Sequence, residues 1–506
     1  MSTGEQTRVA EQVHGDDNAP APNPSWSGAQ VENRILSSEE CQAILERAKS
    51  FAKLGGDTAV LINSWWQGEL RWARNRISLS SDRRDVGVMV IRTVPGGIQG
   101  RVSTNQLDDA SLESAVRAAE RQSSRGWNPS RGVGYFPPIP HYGRFENAAI
   151  WSDATYGLDT ESRAEIARSM IEPAEAAGFY SAGYLEVRAG ATAYLGTAFK
   201  ELQSGEHAFW ENPYVRWTQA HCSTTVRDAR GTGSGWAGLS NYDWTRIDGD
   251  ALARRAVEKC RASRNPVALE PGRYTVILEP QAVADLMEIF VATFAFREIP
   301  EEGIASPWLL AFDDAIELWR SKLGLKVVDE RITFTHDPAD PELGIVMRPL
   351  EWPGPVTWIE RGVLTKLGHR FETDVKQLEG NHALRGATGY RMSGGKTSID
   401  EMIRTTRRGL LVTRFSNVRS LDSASLLSTG LTRDGLWLIE NGEITKAVKN
   451  FRFTESPLAV LNQIEQLGEP VPVFRPTRHE TGGLTPAIVP PLKARDFSFT
   501  SLIDAV

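Results

Sequence analysis

The chain has 506 residues, a formal net charge of −7 and three cysteines, Cys41, Cys222 and Cys260. That length fits two or three domains with a sizeable core, and the acidic balance speaks against a general nucleic-acid binder. The cysteines lie too far apart for a metal spacing and point to a reducing compartment; no run reaches the 18 or so apolar residues of a membrane helix, and the N-terminus has no charged-then-apolar signal layout, so a cytoplasmic protein is expected.

Residues 1–30, polar and rich in Ala, Pro, Asn and Gly, read as a flexible tail. Ser37 and Glu40 form a capping-box pattern. Behind it, Ile44, Leu45, Ala48, Phe51 and Ala52 recur at helical spacing until Gly55-Gly56. Strand-like runs follow, TAVLIN, ELRWARNRISLS and VGVMVIR, then a Pro95-Gly96-Gly97 turn into IQGRVST. A helix from about Asp109 to Ser123 closes this unit. Residues 124–152, rich in Pro, Gly, Arg and aromatics, read as a long connection. A helix from about Thr160 to Ala177 stops at Gly178, and strands GYLEVRAG, ATAYLGTAFK and WTQAHCSTTVRD precede a helix from about Asp250 to Ala262.

Asn265-Pro266 and Glu270-Pro271-Gly272 mark the clearest boundary. Beyond it, RYTVILEP is a buried-type strand leading into the helix QAVADLMEIFVATFAF, and a further helix is expected near Pro307 to Leu323. The remainder is short strands and Gly/Pro turns. Two hairpins stand out, WIERGVLTK (Trp358 to Lys366) and LIENGEITK (Leu438 to Lys446). Asn441-Gly442 supplies the positive φ angles of a type I′ turn. They read as similar hairpins, since nothing recurs at a fixed period. The 15 tryptophans are expected in core and interface packing, with a peptide-binding groove as the sharper alternative. The expected fold is α+β: a tail over 1–30, an N-terminal α+β domain over 31–265 (subregions about 31–124 and 150–265) with helices on one face of an antiparallel sheet, and a β-rich C-terminal domain over 266–506 with few helices.

The ordered series RNRISLS, VGVMVIR, GRVSTNQLDDASLESAVRAAER, PGRYTVILEPQAVADLM, TGLTRDGLWLIENGEITKAVKNFRFTESPLAVLNQI and VPPLKARDFSFTSLIDAV resembles the TldD/TldE family over roughly residues 35–506. Its TldE member is also called PmbA, and its active members are zinc metallopeptidases. In those members, the resemblance implies, the helix after the central strand carries HExxxH and a later cysteine completes the zinc site. Two imidazoles and a thiolate hold the metal, and the glutamate accepts a proton from bound water. Here the equivalent positions are Glu288, Ile289 and Thr293. The eight histidines are His14, His141, His207, His221, His336, His369, His382 and His479, so no shift of register restores the motif, and no cysteine follows Gly272.

The resemblance therefore implies a TldE-like, non-catalytic subunit with no catalytic residue, metal ligand or cofactor of its own. Zinc would sit in a TldD-like catalytic partner, and the heterodimer would cleave unfolded peptides, in degradation or in precursor-peptide maturation. No nucleic-acid or membrane partner is expected. An unfolded peptide would be gripped by main-chain pairing at a sheet edge. Two alternatives stand beside this: an independent hydrolase with a different site in the same cavity, and a peptide-binding homodimeric scaffold.

Outside the vestigial helix the candidates have plain alternatives. Glu206-His207 and His221-Cys222 gather metal-capable side chains, but at no established ligand spacing; strand residues flanking the loop FWENPYVRW account for them equally. GATGYRMSGGKTS leaves five residues between Gly389 and Gly395, where a phosphate loop needs four. Within it Ser393 shows no base that would make it a nucleophile, and Lys396 sits in a Gly-rich loop that could touch substrate or partner. Arg404, Arg407 and Arg408 form a basic run, by default a solvated helix face, otherwise a site for a peptide C-terminus or an acidic partner surface. Glu288 is either an ordinary exposed helix position or part of the vestigial pocket. The candidates for substrate or partner contact are thus His207, His221, Ser393, Lys396 and Arg404.

Overall fold

A computed structural model describes residues 34–95, 99–124, 150–196, 214–293, 310–313, 318–344, 355–366, 389–475 and 486–503. The expected tail over 1–30, most of the connection over 124–152, and His207 lie outside the described residues.

Helix α1 (Ser38–Ser50) starts with the expected capping box: Glu40 N donates to Ser37 Oγ at 3.2 Å and Ser37 N donates to Glu40 Oε2 at 2.7 Å. Two long strands follow, β1 (Asp57–Ala73) and β2 (Arg76–Thr93). The run ELRWARNRISLS is therefore not one strand. It folds back at Arg74 and Asn75, whose φ angles of 50° and 63° make a tight turn that Asn tolerates well. Strand β3 (Gln99–Thr104) and helix α2 (Asp109–Ser123) complete the first unit. Next come α3 (Asp153–Gly157) and α4 (Thr160–Ala176). GYLEVRAG and ATAYLG form the single strand β4 (Phe179–Gly196), followed by β5 (Tyr214–Asp228), β6 (Ser234–Asn241) and α5 (Gly249–Ala262).

These strands form one antiparallel sheet in the order β3-β2-β1-β4-β5-β6. Side chains alternate across it, so each face has its own composition. One face carries Val60, Ile62, Trp66, Leu70, Leu185, Val187, Ala220 and Cys222, and packs on apolar residues of α1, α2 and α4. Helix α5 covers the same face further along, through Ala256, Val257 and Cys260 against Val226 and Ala237. The helices thus lie on one side, as the α+β reading expects. Among the described residues the opposite face carries no helix of this unit, and it holds the polar residues described below.

Beyond it lie β7 (Gly272–Leu278) and α6 (Pro280–Ala292), with Pro280 at the first turn of α6, where its missing N–H costs nothing. Pairing then closes a ring. Strand β7 pairs with Arg408–Asp422 and with Leu492–Leu502; the latter pairs with Phe451–Glu455, which pairs with Leu427–Glu440, which returns to Arg408–Asp422. A second sheet holds six short strands, among them Phe334–His336, Val356–Glu360, Tyr390–Met392 and Ala487–Val489. Helix α6 shares one apolar core with both: Leu286, Met287, Phe290 and Val291 pack with Phe334, Trp358, Tyr390 and Phe453. The two expected hairpins are present, turning at Arg361-Gly362 (φ 47° and 80°) and Asn441-Gly442 (φ 52° and 86°). The helix expected near Pro307 to Leu323 is not formed where the chain is described. Leu310–Asp313 pairs with Leu318–Ser321 as an antiparallel hairpin. A short apolar run carries too little periodicity to separate helix from strand, and pairing decided it.

Candidate functional site

The face of the N-terminal sheet opposite these helices is built by alternation. In β4, Tyr184, Glu186 and Arg188 point the same way, and the pairing register sets them beside Arg71, Glu69 and Gln67 of β1. Carried across β5 and β6, one row reads Glu69, Glu186, His221, Ser240, one residue from each of four adjacent strands. Glu186 is buried; its Oε2 accepts from Gln67 Nε2 at 2.9 Å and its Oε1 lies 2.6 Å from Arg188 Nε. Burial pushes its carboxyl above the usual range, against the pull of Arg188.

His221 is only 2 % exposed, with Nδ1 2.8 Å from Ser240 Oγ. Burial, helped by the positive charge of Arg188, drives its pKa down to about 3. It is therefore neutral at any physiological pH. Its strand neighbour Cys222 faces the helices, in the core with Leu185 and Ala220. Adjacent strand residues point to opposite faces, so His221 and Cys222 cannot share a metal ion.

The row continues into the C-terminal part through Arg475. Arg475 N donates to Ser240 Oγ at 2.9 Å, and the Arg475 side chain, 1 % exposed, brings Nη1 to 3.5 Å from Glu288 Oε2 and 3.9 Å from Asp285 Oδ1. Asp285 accepts from Phe415 N at 3.0 Å and from Gln281 Nε2 at 2.8 Å. Although 15 % of its side-chain surface is accessible, burial pushes the Asp285 carboxyl up to about 6, with Arg475 pulling the other way. A polar seam thus runs from the sheet to α6. Further ties flank it: Lys259 and Arg255 of α5 pair with Glu279 at 2.7 and 3.1 Å, and Ser234 Oγ donates to Asp434 at 2.6 Å.

Helix α6 is where the resemblance places a zinc motif. Ile289 offers no ligand atom. Thr293 is buried at the helix C-cap, and its Oγ1 donates to Phe290 O at 2.5 Å. Glu288, 43 % exposed, faces the guanidinium of Arg475, a cation where a second cation would be repelled. This donor set does not fit zinc. Among the described residues no group of three or more His, Cys, Asp or Glu side chains is gathered to hold a metal ion.

The seam joins His221 and Glu288, which the sequence did not connect, and leaves the other candidates apart. Ser393 Oγ accepts from Thr333 N at 2.7 Å and donates to Arg331 O at 2.8 Å, a loop-fixing role. Lys396 is exposed, two residues before Ser398, which caps the short helix Ile399–Arg404. Arg404 is exposed at the end of that helix, paired with Glu401. Sequence reasoning missed Glu186, Arg188, Ser240, Asp285 and Arg475. The signal for the first two was the alternation in GYLEVRAG; for Asp285 it was the i, i+4, i+7 spacing of Gln281, Asp285 and Glu288. Arg475 had no local signal.

A cleft of ≈ 930 Å³ opens on the same sheet face, lined by Glu186, Arg188 and Tyr184 and bordered by Arg414 and Phe474.

Residues 271–501 match the PmbA/TldA metallopeptidase C-terminal domain family. The C-terminal part of the chain belongs to the PmbA/TldD family. No curated protein matches the sequence. Among solved structures, a candidate modulator of a DNA gyrase from Thermotoga maritima superposes with a TM-score of 0.70 at 16 % identity, covering 92 % of this chain and 100 % of that one. TldE from Thermococcus kodakarensis gives 0.66 at 15 % identity, covering 91 % and 99 %. A candidate modulator of DNA gyrase from Bacteroides thetaiotaomicron gives 0.69 at 15 %, covering 92 % and 100 %. At these identities the likeness establishes a shared fold, and it extends over the N-terminal sheet as well as the PmbA/TldD-type domain.

Proposed function

We propose that this chain is the TldE-like, non-catalytic subunit of a two-subunit zinc peptidase that cleaves unfolded peptides. One observation carries the reading. The helix that should hold the zinc motif of a PmbA/TldD metallopeptidase instead presents Glu288, Ile289 and Thr293, and its polar side is taken up by Arg475. The fold shared with TldE from Thermococcus kodakarensis supports it. In this reading zinc and the activated water belong to a TldD-type partner. This chain contributes the seam of buried polar residues, which holds sheet and α6 in fixed relation, and a cleft wall for the peptide. A hydrolase centred on His221 is less well supported, because that imidazole is buried and engaged with Ser240.

The test is an unfolded peptide incubated with this chain alone, with a TldD-type partner alone and with an equimolar mixture, the products read by mass spectrometry. Cleavage should be greatest in the mixture and absent with this chain alone. Cleavage by this chain alone contradicts the proposal.

A further inference from the structure

We propose that a small polar cavity at the joint between the N-terminal sheet and the C-terminal part holds tightly bound water, anchored on His221 Nε2. The cavity has a volume of ≈ 30 Å³. Its walls come from both parts of the chain: Gln219 and His221 of β5, Ser240 and Asn241 of β6, and Glu342 and Arg475 from the C-terminal part. An enclosed water needs roughly 10–15 Å³ of such space and several polar partners, and this cavity offers both. The carrying observation is at His221. The residue is 2 % exposed, yet among the described residues its Nε2 has no hydrogen-bond partner. The other ring nitrogen is accounted for: Ser240 Oγ lies 2.8 Å from Nδ1 and accepts from Arg475 N at 2.9 Å.

With its pKa driven down to about 3, the imidazole is neutral and carries a single N–H. If Ser240 donates to Nδ1, Nε2 bears the hydrogen and needs an acceptor. If Nδ1 donates to Ser240, Nε2 has a lone pair and needs a donor. Water serves either tautomer. A buried nitrogen left unpaired is costly, and ordered water is the usual remedy where no protein atom reaches it. The charges on the wall also favour a neutral occupant. Arg475 repels a cation and is itself engaged with Glu288 and Asp285, while Glu342 repels an anion and is paired with Arg391 at 2.8 Å. Among the described residues no group of three or more His, Cys, Asp or Glu side chains is gathered for a metal ion. An organic ligand needs roughly ten times the volume. Buried Leu343 and Val473 add apolar wall beside the polar groups and limit exchange with bulk solvent. In this account the sheet and the C-terminal part meet through water as well as through the direct bond from Arg475 to Ser240. The inference is independent of the two-subunit reading.

The test is a crystal structure of the full chain, grown from two different salts, at a resolution that places ordered water. A peak about 3 Å from His221 Nε2, with at least one further protein partner, is expected in both. An empty cavity, a side chain filling it, or a peak that turns into an anomalous scatterer after bromide or rubidium soaking, an adventitious ion only, would overturn the proposal. In solution the ring Hε1 of His221, assigned by its loss in His221→Gln, should show cross-relaxation to water with the sign of a long-lived site. Its absence from the wild-type spectrum contradicts the proposal. His221→Leu deletes both ring nitrogens. A hydrated site then loses two hydrogen bonds, and the folding equilibrium constant should fall by about tenfold. A dry site would instead be relieved of an unpaired nitrogen, so an unchanged or raised constant counts against bound water. If His221→Leu fails to fold, the wild-type crystals and spectrum decide.

Discussion

The two sides of α6 follow different rules. One side sends Leu286, Met287, Phe290 and Val291 into the core shared by both C-terminal sheets. The other lines up Gln281, Asp285 and Glu288 at i, i+4 and i+7, toward Arg475 and the N-terminal sheet. The apolar side fixes where the helix lies, by burial of area that only this packing provides. The polar side fixes what the helix can do. The difference teaches that the polar side of such a helix is free to vary in chemistry while the fold is held from the opposite one.

Truncation on the apolar side should cost most. Phe290 is fully buried and meets Phe334 edge-on at 5.4 Å. Phe290→Ala should lower the unfolding free energy by roughly 3–5 kcal/mol in denaturant titrations. Next comes the centre of the polar side: Arg475→Ala leaves Asp285 without its nearby cation and should cost about 3 kcal/mol. A cost much below that would mean the seam is not a structural joint.

The pH dependence separates the two ends of the seam, because their signs oppose. Asp285 has its folded pKa raised from 3.8 to about 6, so the stability it confers is full below about pH 4 and is lost as pH rises through about 6. Asp285→Asn should remove that falling component. His221 has its folded pKa lowered from 6.5 to about 3, so its contribution is full above about pH 6.5 and is lost as pH falls toward about 3. His221→Gln should flatten the acid side of the curve. Unfolding free energies at half-unit steps, wild type against each variant, read both. The smallest effect is expected at Glu288, where 43 % of the side chain is exposed; Glu288→Gln should stay within about 0.5 kcal/mol.

The helices of the N-terminal unit were legible because their caps and periodicity are local. Ser37 and Glu40, and the stop at Gly178, needed no tertiary information. Hairpins with glycine at the turn were legible for the same reason. The turn at Arg74-Asn75 was not, because no glycine marks it. Strand β6 went unread although it carries Ser240 and Trp236. That the chain carries no HExxxH follows directly from the spacing of its eight histidines. The polar seam beside α6 could not be read there. The row Glu69, Glu186, His221, Ser240 exists only through a four-strand register, and Arg475 reaches Glu288 from 187 positions away.

The central claim is that zinc chemistry belongs to a partner and not to this chain. Elemental analysis of the purified complex with a TldD-type subunit, followed by separation of the two chains under conditions that retain bound metal, tests it most directly. The account predicts one zinc per heterodimer, travelling with the partner, and substoichiometric zinc on this chain. One tightly held zinc per copy of this chain would contradict it.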